Sequence, residues 1–202
     1  MFWGSIMGNR KGAGSAVLEQ EGRLGRFEFR MMNNPLKRWR QKHWEFALFL
    51  GMLEHWRIDL QGKAIMDAGC GDGFSTELIV KRFAPSHVAA FDLMPEQIRL
   101  AERRKLGVRF RVGDARQVDA ADSSFDAVFV FAILHHILQW DTALSEMARV
   151  LKPSGAFLLE EPNHNWLEWS ELEMGIERAG LTILEKKGWA LGIFRSYLCQ
   201  KR

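Results

Sequence analysis

The feature that most constrains the fold is a repeated pairing of a short apolar segment with a following helical segment. Three apolar segments end at or near an aspartate, and helical patterns follow the first two of them. Strands that alternate with helices in this way form a parallel sheet with helices on both faces. The three predicted strands are Ala64–Met66 ending at Asp67, His87–Phe91 ending at Asp92, and Val108–Val112 ending near Asp114. The chain is therefore predicted to have an α/β fold.

The rest of the chain continues the pattern. Further strands are predicted at Phe125–Phe131, Ala156–Leu159, Leu181–Lys187 and Ile193–Cys199, and further helices at 141–151 and 167–179. Asp141 is expected to cap the first of these two helices, because aspartate is favoured at that position. Pro153–Gly155 is expected to turn the chain into the fifth strand. Strand and helix signals thus extend to the last residues printed.

The N-terminal segment differs from the rest in composition. Residues 1–34 contain six glycines, which break any helical period and make the segment costly to order. We expect a flexible arm here, followed by a single domain over residues 35–202. Asn34 and Pro35 are typical of a helix start, and apolar residues then recur every three or four positions. A helix is therefore predicted over residues 35–57.

Composition and charge exclude several classes of protein. Of the 202 residues, 47% are apolar and 26% are charged, which is ordinary for a globular chain. The net charge of +3 divides into +6 over residues 1–43 and −3 over residues 44–202. Cys70 and Cys199 can form neither a disulfide framework nor a multi-cysteine zinc site, and no metal is expected. Without a long apolar run or a secretory signal, we expect a cytoplasmic protein with no membrane span.

A glycine-rich segment, Asp67–Phe74, follows the first predicted strand. Its alternating glycines allow a ligand to approach the backbone, and the next helix points amide groups at that ligand. A dinucleotide-binding fingerprint needs glycine or alanine where Phe74 stands, and the Gly-x-x-x-x-Gly-Lys-Ser/Thr phosphate loop is absent. The spacing therefore favours a nucleoside without a pyrophosphate. Asp92 is placed to accept from a ribose diol, and Asp114 from an adenine amine.

These segments together resemble the class I S-adenosylmethionine-dependent methyltransferases, in particular the group with an Asp-x-Gly-Cys-Gly-x-Gly loop. The resemblance runs from about Lys63 to Pro162, about half of the chain, and includes the run Leu151–Gly155 before the fifth strand. Members of this family form a three-layer αβα sandwich. Their doubly wound sheet has seven mostly parallel strands, of which the last is antiparallel. The resemblance implies this fold, S-adenosylmethionine as cofactor and S-adenosylhomocysteine as product.

The resemblance also implies which residues bind the cofactor. The loop glycines would pack against its methionine part, and Asp92 would hold the ribose. Leu93 and Met94 would flank the adenine, while Phe131 and Ala132 would lie beside the sulfonium, whose charge suits an aromatic face. The implied cofactor-binding residues are Asp67, Ala68, Gly69, Cys70, Gly71, Gly73, Asp92, Leu93, Met94, Asp114, Ala115, Phe131 and Ala132.

The candidate catalytic residues follow the fourth strand or end the fifth strand. His135 and His136 lie where the methyl acceptor should approach, and either could take a proton from a hydroxyl or an amine. A purely structural role for these histidines is the alternative. Glu161, next to Glu160, could act as a base, bind an amine or belong to a solvated rim.

Aromatic residues surround the predicted site. In many relatives the N-terminal helix folds over the site as a lid, and here it carries Trp39 and Trp44. Trp166 and Trp169 follow the fifth strand, where the family inserts acceptor-binding elements. Such residues would suit an apolar or ring-bearing acceptor, and ordinary core packing is the alternative.

The expected reaction is methyl transfer to an oxygen or nitrogen atom of a small molecule. The Asn/Asp-Pro-Pro-Tyr/Phe motif of base-amino methyltransferases is absent at Phe131–His135, and no cysteine between Cys70 and Cys199 could serve a C5-pyrimidine enzyme. Two alternatives stay open. One is an RNA or protein methyltransferase that uses the basic N-terminal arm, and the other is a catalytically silent cofactor-binding subunit. A monomer or a homodimer is compatible with each hypothesis.

Overall fold

The computed structural model of the protein describes residues 34–163 and 167–202. Apart from Asn34, the predicted arm over residues 1–34 lies outside these ranges. Trp166, one of the two tryptophans predicted after the fifth strand, also lies outside them. The described part of the chain is built around one seven-stranded sheet. Within it, every helix is too short or too polar to cross a membrane.

The sheet has the predicted strand content. Its strands are β1 Ala64–Ala68, β2 His87–Asp92, β3 Arg109–Val112, β4 Phe125–Phe131, β5 Leu151–Pro162, β6 Leu181–Trp189 and β7 Phe194–Lys201. They lie in the order β3-β2-β1-β4-β5-β7-β6. Strands β1 to β5 pair in parallel, whereas β7 is antiparallel to both β5 and β6. The predicted mostly parallel sheet with an antiparallel last strand is therefore confirmed.

Helices cover both faces of this sheet. They are α1 Pro35–Arg40, α2 Phe46–His55, α3 Phe74–Phe83, α4 Pro95–Glu102, α5 Trp140–Val150 and α6 Trp169–Arg178. A π-helical turn, Gln41–Glu45, joins α1 to α2, and we call the continuous unit 35–55 the N-terminal helix. A short 3₁₀ turn, Leu134–His136, follows β4. The predicted helix over 35–57 thus forms, with a wider turn in its middle.

The central strands β1 and β4 are largely apolar because both faces of a parallel sheet are buried. Successive side chains of β4 point to opposite faces. Phe129 packs with Phe49 of α2 and Ile79 of α3 on one face, whereas Val128 belongs to the cluster that contains Leu144 of α5 on the other. All five residues are fully buried. The result is the predicted three-layer αβα sandwich.

The start of α5 differs from the prediction. The helix begins at Trp140, and Gln139 rather than Asp141 occupies the capping position. The Asp141 carboxylate instead accepts from the amide of the next residue, Thr142, at 2.9 Å. The Trp140 ring lies directly over Gly175 of α6, where an added Cβ would be only 2.4 Å from the ring. We attribute the earlier start to this packing.

The turn predicted before the fifth strand lies within β5. Leu151 already pairs with Phe125, residues 152–155 leave the pairing, and pairing resumes at Ala156 opposite Ala127. The strand therefore starts earlier than predicted. It extends to Pro162, so Glu160 and Glu161, which were expected to end the fifth strand, lie within its last three residues.

The order of the strands determines where a ligand can bind. The chain passes from β1 outward through β2 to β3, and then returns to β4 on the other side of β1. In open α/β sheets the ligand crevice lies at this reversal, outside the carboxyl ends of the strands. Here the crevice is bordered by Asp67 and Ala68 on β1, Asp92 on β2 and Phe131 on β4.

Candidate functional site

The glycine-rich loop bends sharply outside the end of β1. Gly69, Gly71 and Gly73 have φ angles of +71°, +54° and +77°, in the left-handed region that favours glycine. The Gly69 amide donates to the Phe91 carbonyl oxygen of β2 at 2.9 Å. At Gly73 an added Cβ would lie 2.9 Å from Cβ of Ala101 in α4. The loop is thus fixed against both the neighbouring strand and the neighbouring helix.

Gly71 has open space beside its Cα atom. No heavy atom lies within 4 Å of an added Cβ there, whereas at Gly69 the Ile133 side chain would be 2.5 Å away. The Gly71 amide donates to Oδ2 of Asp92 at 2.9 Å. The open space therefore borders the carboxylate that is expected to hold a ribose.

Gly71→Ala is expected to weaken S-adenosylhomocysteine binding at least about tenfold, which corresponds to about 1.4 kcal/mol. The new methyl group would fill the open space, and the left-handed backbone adds about 1–2 kcal/mol of strain. Gly107→Ala is the matched control, since Gly107 has φ +71° and no atom within 4 Å of an added Cβ. Calorimetric titration should show a loss of S-adenosylhomocysteine affinity for Gly71→Ala but not for Gly107→Ala. Equal affinities of the two variants would contradict the placement.

Asp92 connects the loop to the end of β2. Its Oδ1 accepts from the Met94 amide and its Oδ2 from the Gly71 amide, both at 2.9 Å. A carboxylate offers about four lone-pair positions, so these two bonds are compatible with accepting from a ribose diol as well. Leu93 is 43% exposed beside it, and Met94 is half-buried. These side chains provide an apolar surface of the kind expected beside an adenine.

Asp67 links the loop to the start of α3. It is fully buried, and its Oδ2 accepts from the hydroxyls of Ser75 at 2.7 Å and Thr76 at 2.5 Å. Its Oδ1 is buried without a hydrogen-bond partner among the described residues. Burial raises the pKa of Asp67 to about 6, although the two hydroxyl bonds act in the opposite direction.

The raised pKa of Asp67 predicts a stability change with pH. The folded protein holds the Asp67 proton more tightly than the unfolded chain does, so protonation of Asp67 adds to the free energy of unfolding. This contribution is fully present below about pH 4 and is lost as the pH rises through about 6. The expected size is about 3 kcal/mol, at 1.36 kcal/mol per pKa unit. Urea unfolding at pH 4, 5, 6 and 7 should show this loss in the free energy of unfolding for the parent but not for Asp67→Asn. A control variant at the exposed Asp119, Asp119→Asn, should retain it, and parallel curves for the parent and Asp67→Asn would refute the assignment.

Asp72, inside the loop, brings the N-terminal helix and the end of α4 together. Its carboxylate accepts from the Arg38 guanidinium, with Nε at 3.1 Å, and from Nη2 of Arg104 at 2.8 Å. Arg104 also bonds Glu77 in α3 at 2.5 Å. Sequence reasoning missed this cluster, and the one available signal was a charged residue between two loop glycines. The lid role of the N-terminal helix stays a prediction, but its first turns do contact the loop.

The end of β3 carries a second ion pair. The Asp114 carboxylate is bonded to the Arg116 guanidinium, with Oδ2 to Nη2 at 2.8 Å, and accepts from the Arg116 amide at 2.9 Å. These bonds lower the pKa of Asp114, and the side chain of this aspartate is one-third exposed. Ala115 is buried. Asp114 is thus ionised and accessible at the edge of the crevice, while its expected adenine contact stays a prediction.

The two residues at the end of β4 differ in their surroundings. The Phe131 ring lies 5.3 Å from that of Phe49, centroid to centroid, and is only 8% exposed. This side of β4 packs on the N-terminal helix, and the position of Phe131 beside the sulfonium stays a prediction. Ala132 has φ +55° and donates its amide to the Glu160 carbonyl oxygen at 2.8 Å. Such left-handed backbone at a non-glycine residue is strained and is enriched at functional sites.

Glu161 holds the segment after β4 through a set of hydrogen bonds. Its Oε1 accepts from the amides of Ile133 at 2.9 Å and Leu134 at 2.8 Å. Its Oε2 accepts from the His135 amide at 3.3 Å and lies 2.7 Å from Nδ1 of the His135 ring. Glu161 is fully buried and the His135 side chain is 12% exposed. The exposed His136 ring is tilted against the His135 ring, with 3.9 Å between the two centroids.

This arrangement changes the interpretation of the two glutamates. Glu160 and Glu161 are both fully buried, so the hypothesis of a solvated rim is wrong. Both carboxylate oxygens of Glu161 point at the segment that carries His135. The geometry therefore favours a positioning role for Glu161, and it leaves His135 as the group that faces the acceptor side.

The tryptophans divide into two groups. Trp169 begins α6, and its ring lies under the Arg195 guanidinium at 4.6 Å, which is a packing contact. Trp39 and Trp44 of the N-terminal helix are 53% and 45% exposed. The Trp44 ring contacts that of Trp189, at 5.6 Å between centroids. The exposed pair therefore lies where the N-terminal helix meets the hairpin formed by β6 and β7.

The residues around the loop fit the cofactor that the resemblance implies. Gly71 leaves space that a side chain would fill, and the Asp92 carboxylate borders that space. Asp67 has a buried oxygen with no hydrogen-bond partner in the described part of the chain. Carboxylates suit both a ribose diol and a neighbouring positive charge. Gly69, Gly71, Gly73 and Asp92 would hold the cofactor.

Comparison with known proteins agrees with this interpretation. Residues 66–159 match the family model described as a methyltransferase domain. A fatty-acid O-methyltransferase from Mycolicibacterium smegmatis is 32% identical over 65% of this chain and 48% of its own length. A demethylmenaquinone methyltransferase from Renibacterium salmoninarum is 32% identical over 58% of this chain and 52% of its own length. The chain spans about half the length of the curated relatives it matches.

The fold is shared with solved structures. A SAM-dependent methyltransferase from Aquifex aeolicus superposes with a TM-score of 0.72 at 17% identity, over 89% of this chain and all of that chain. The sequence match covers the strands and the loop that border the crevice, and the structural match extends over 89% of the chain. Together these findings support a class I S-adenosylmethionine-dependent methyltransferase, whose cofactor is S-adenosylmethionine.

Proposed function

We propose that this chain transfers a methyl group from S-adenosylmethionine to an oxygen or nitrogen atom of a small, apolar acceptor. The observation that carries the proposal is the pairing of His135 with the buried Glu161 at the same sheet edge as the Asp92–Gly71 contact. One side of the crevice would hold the cofactor, and the other would orient the acceptor. When bound, the cofactor supplies an electrophilic methyl group.

The proposed roles follow from the contacts. Glu161 accepts from Nδ1 of His135, which leaves Nε2 as the nitrogen that takes a proton from the acceptor. Glu161 acts as a positioning residue because it bonds the His135 backbone and ring rather than the acceptor. His136 lies next to His135 and is exposed at the acceptor side. Positioning of the two reactants supplies the rest of the acceleration.

An apolar acceptor is supported by the side chains near the crevice and by the relatives. Trp39 and Trp44 are exposed on the helix that contacts the loop through Arg38 and Asp72. Two relatives are a fatty-acid O-methyltransferase and a demethylmenaquinone methyltransferase, whose names specify apolar acceptors. By contrast, Arg38 and Arg40, which contribute to the positive charge of residues 1–43, are paired with Asp72 and Glu45. A lipid-like acceptor is therefore preferred to RNA.

Transfer of a labelled methyl group tests this function. We expect transfer to long-chain carboxylic acids, alcohols or phenols, with kcat/KM increasing with chain length. His135→Ala should lower kcat by about 10²–10⁴-fold for a hydroxyl acceptor, and much less for a carboxylate, which has no proton to lose. His87→Ala is the matched control, since His87 is exposed at the first residue of β2, at the opposite edge of the sheet. Transfer only to RNA or to polar small molecules would refute the proposal, and cofactor binding with no transfer to any acceptor would favour the silent subunit.

A further inference from the structure

The exposed apolar side chains of this protein are concentrated on one side. Ten large apolar residues are exposed in the described part of the chain, and eight of them lie at the carboxyl edge of the sheet, where the crevice opens. Trp56 and Met174 are the two exceptions. The eight residues are Leu36, Trp39, Trp44, Leu93, Val112, Leu138, Leu191 and Ile193. Leu93 lies at the proposed adenine position, so seven remain without a role.

Five of these residues lie on two segments that contact each other, and we call them the apolar rim: Leu36, Trp39, Trp44, Leu191 and Ile193. The first three lie on the N-terminal helix, and the last two lie in the turn that joins β6 to β7. The helix and the turn are in contact, because the Trp39 and Trp44 rings are 6.4 Å apart and the Trp44 ring reaches Trp189. Leu191 is completely exposed and Leu36 is 72% exposed.

The apolar rim adjoins the site on two sides. The Arg38–Asp72 contact attaches the helix to the cofactor loop. The Ile193 carbonyl oxygen accepts from the Asn163 amide at 2.6 Å, directly beyond the end of β5, the strand that carries Glu161. Anything that covers the rim therefore also covers the entrance for an acceptor.

The charges beside the rim are positive. Residues 35–45 contain four lysines and arginines, of which Arg38 is paired with Asp72 and Arg40 with the buried Glu45. The positive charge outside these two pairs is that of lysine. Lys42 and His43 are exposed between Trp39 and Trp44. Exposed tryptophan next to basic residues suits the boundary between lipid headgroups and acyl chains. Several large apolar side chains exposed together on a chain of ordinary composition indicate an interaction surface.

We propose that the apolar rim binds the surface of an anionic lipid bilayer and holds the crevice against it. Tryptophan and leucine side chains insert at the interface, and the excess of lysine and arginine attracts the acidic headgroups. The inference rests on the proposed function, because an acceptor with a long apolar chain has to be drawn from such a surface. The vesicle binding itself requires no methyl transfer.

Co-sedimentation with vesicles tests the proposal. The chain should bind vesicles of equal parts phosphatidylglycerol and phosphatidylcholine, bind phosphatidylcholine alone more weakly, and lose affinity as salt increases. The double variant Trp39→Ser/Trp44→Ser should lose at least about tenfold in affinity. Leu191→Asn should lose severalfold, and it cannot disturb the core because Leu191 is completely exposed. Trp56→Ser is the matched control, since Trp56 is 42% exposed but lies about 18 Å from Trp44 along the helix axis.

Two outcomes would overturn the proposal. Equal vesicle binding by the parent and by Leu191→Asn would show that the rim is not the contact surface. Absence of vesicle binding, together with a dimer that Leu191→Asn dissociates, would assign the rim to a second copy of this chain. S-adenosylhomocysteine affinity, measured for every variant, shows that the site is intact. If vesicles bind but no acceptor is methylated, the proposed function fails while the bilayer surface stands.

Discussion

Asp92→Ala is expected to lower the affinity for S-adenosylhomocysteine at least about hundredfold. The change removes the acceptor of two loop hydrogen bonds, from Gly71 and Met94, and also the carboxylate proposed to hold the ribose. Hydrogen bonds to a charged group contribute about 1.5–3 kcal/mol each, so the loss of two ribose bonds alone accounts for a factor of this size. The fold should persist, because Asp92 lies at the end of β2 and not in the core clusters. Isothermal titration calorimetry measures the affinity directly.

Asp119→Ala is the control for this experiment. Asp119 forms an ion pair with Arg111 on the surface, at 3.0 Å, with its own side chain 93% exposed. Exposed pairs of this kind contribute little, about 0–1 kcal/mol. Its cofactor affinity should equal that of the parent. If Asp92→Ala bound S-adenosylhomocysteine as tightly as Asp119→Ala, the position assigned to the ribose would be wrong.

Glu161→Ala is expected to affect stability and turnover together. The buried carboxylate accepts from three backbone amides and faces the His135 ring, so its removal leaves several buried donors unpaired. The expected loss in the free energy of unfolding is about 3–5 kcal/mol. For a domain of this size that is a fall of about 10 °C in Tm. Thermal unfolding of the variant and of Glu171→Ala, an exposed glutamate of α6, gives the comparison.

Glu161→Gln separates positioning from simple stability. The amide keeps one acceptor oxygen for the loop, so the stability loss should be smaller, about 1–2 kcal/mol. Its NH₂ group cannot accept from Nδ1 of His135, so the ring loses the partner that orients it. We expect kcat with a hydroxyl acceptor to fall at least about hundredfold, while kcat with a carboxylate acceptor changes little. Equal losses for both acceptor types would mean that Glu161 only supports the fold.

Much of the fold follows from local signals in the sequence. The apolar runs that end at Asp67 and Asp92 form the predicted strands, because a strand buried on both faces reads as continuous apolar residues. The loop glycines all have positive φ, as their spacing indicates. Leu181 and Phe194 begin the two final strands within one residue of their predicted starts. These features depend on neighbours along the chain, which is why they are visible in the sequence.

The missed features depend on contacts between distant segments. Asp72 meets Arg38 and Arg104, which lie 34 and 32 residues away, so no local pattern marks the cluster. Glu161 approaches His135 only because β5 lies next to β4 and extends past the predicted end of the strand. The direction of the Phe131 ring depends on which face the N-terminal helix covers. In each case the contact depends on tertiary packing, which residue type and spacing along the chain do not determine.

Thermal unfolding with and without S-adenosylhomocysteine tests the central claim most directly. At about 100 times its dissociation constant, a ligand that binds only the folded state adds about 2.7 kcal/mol. At about 2–4 °C per kcal/mol for a chain of this length, we expect Tm to rise by about 5–10 °C. The rise should saturate with concentration, as it does for one site. No rise at millimolar S-adenosylhomocysteine would contradict the assignment of the loop and Asp92 as a cofactor site.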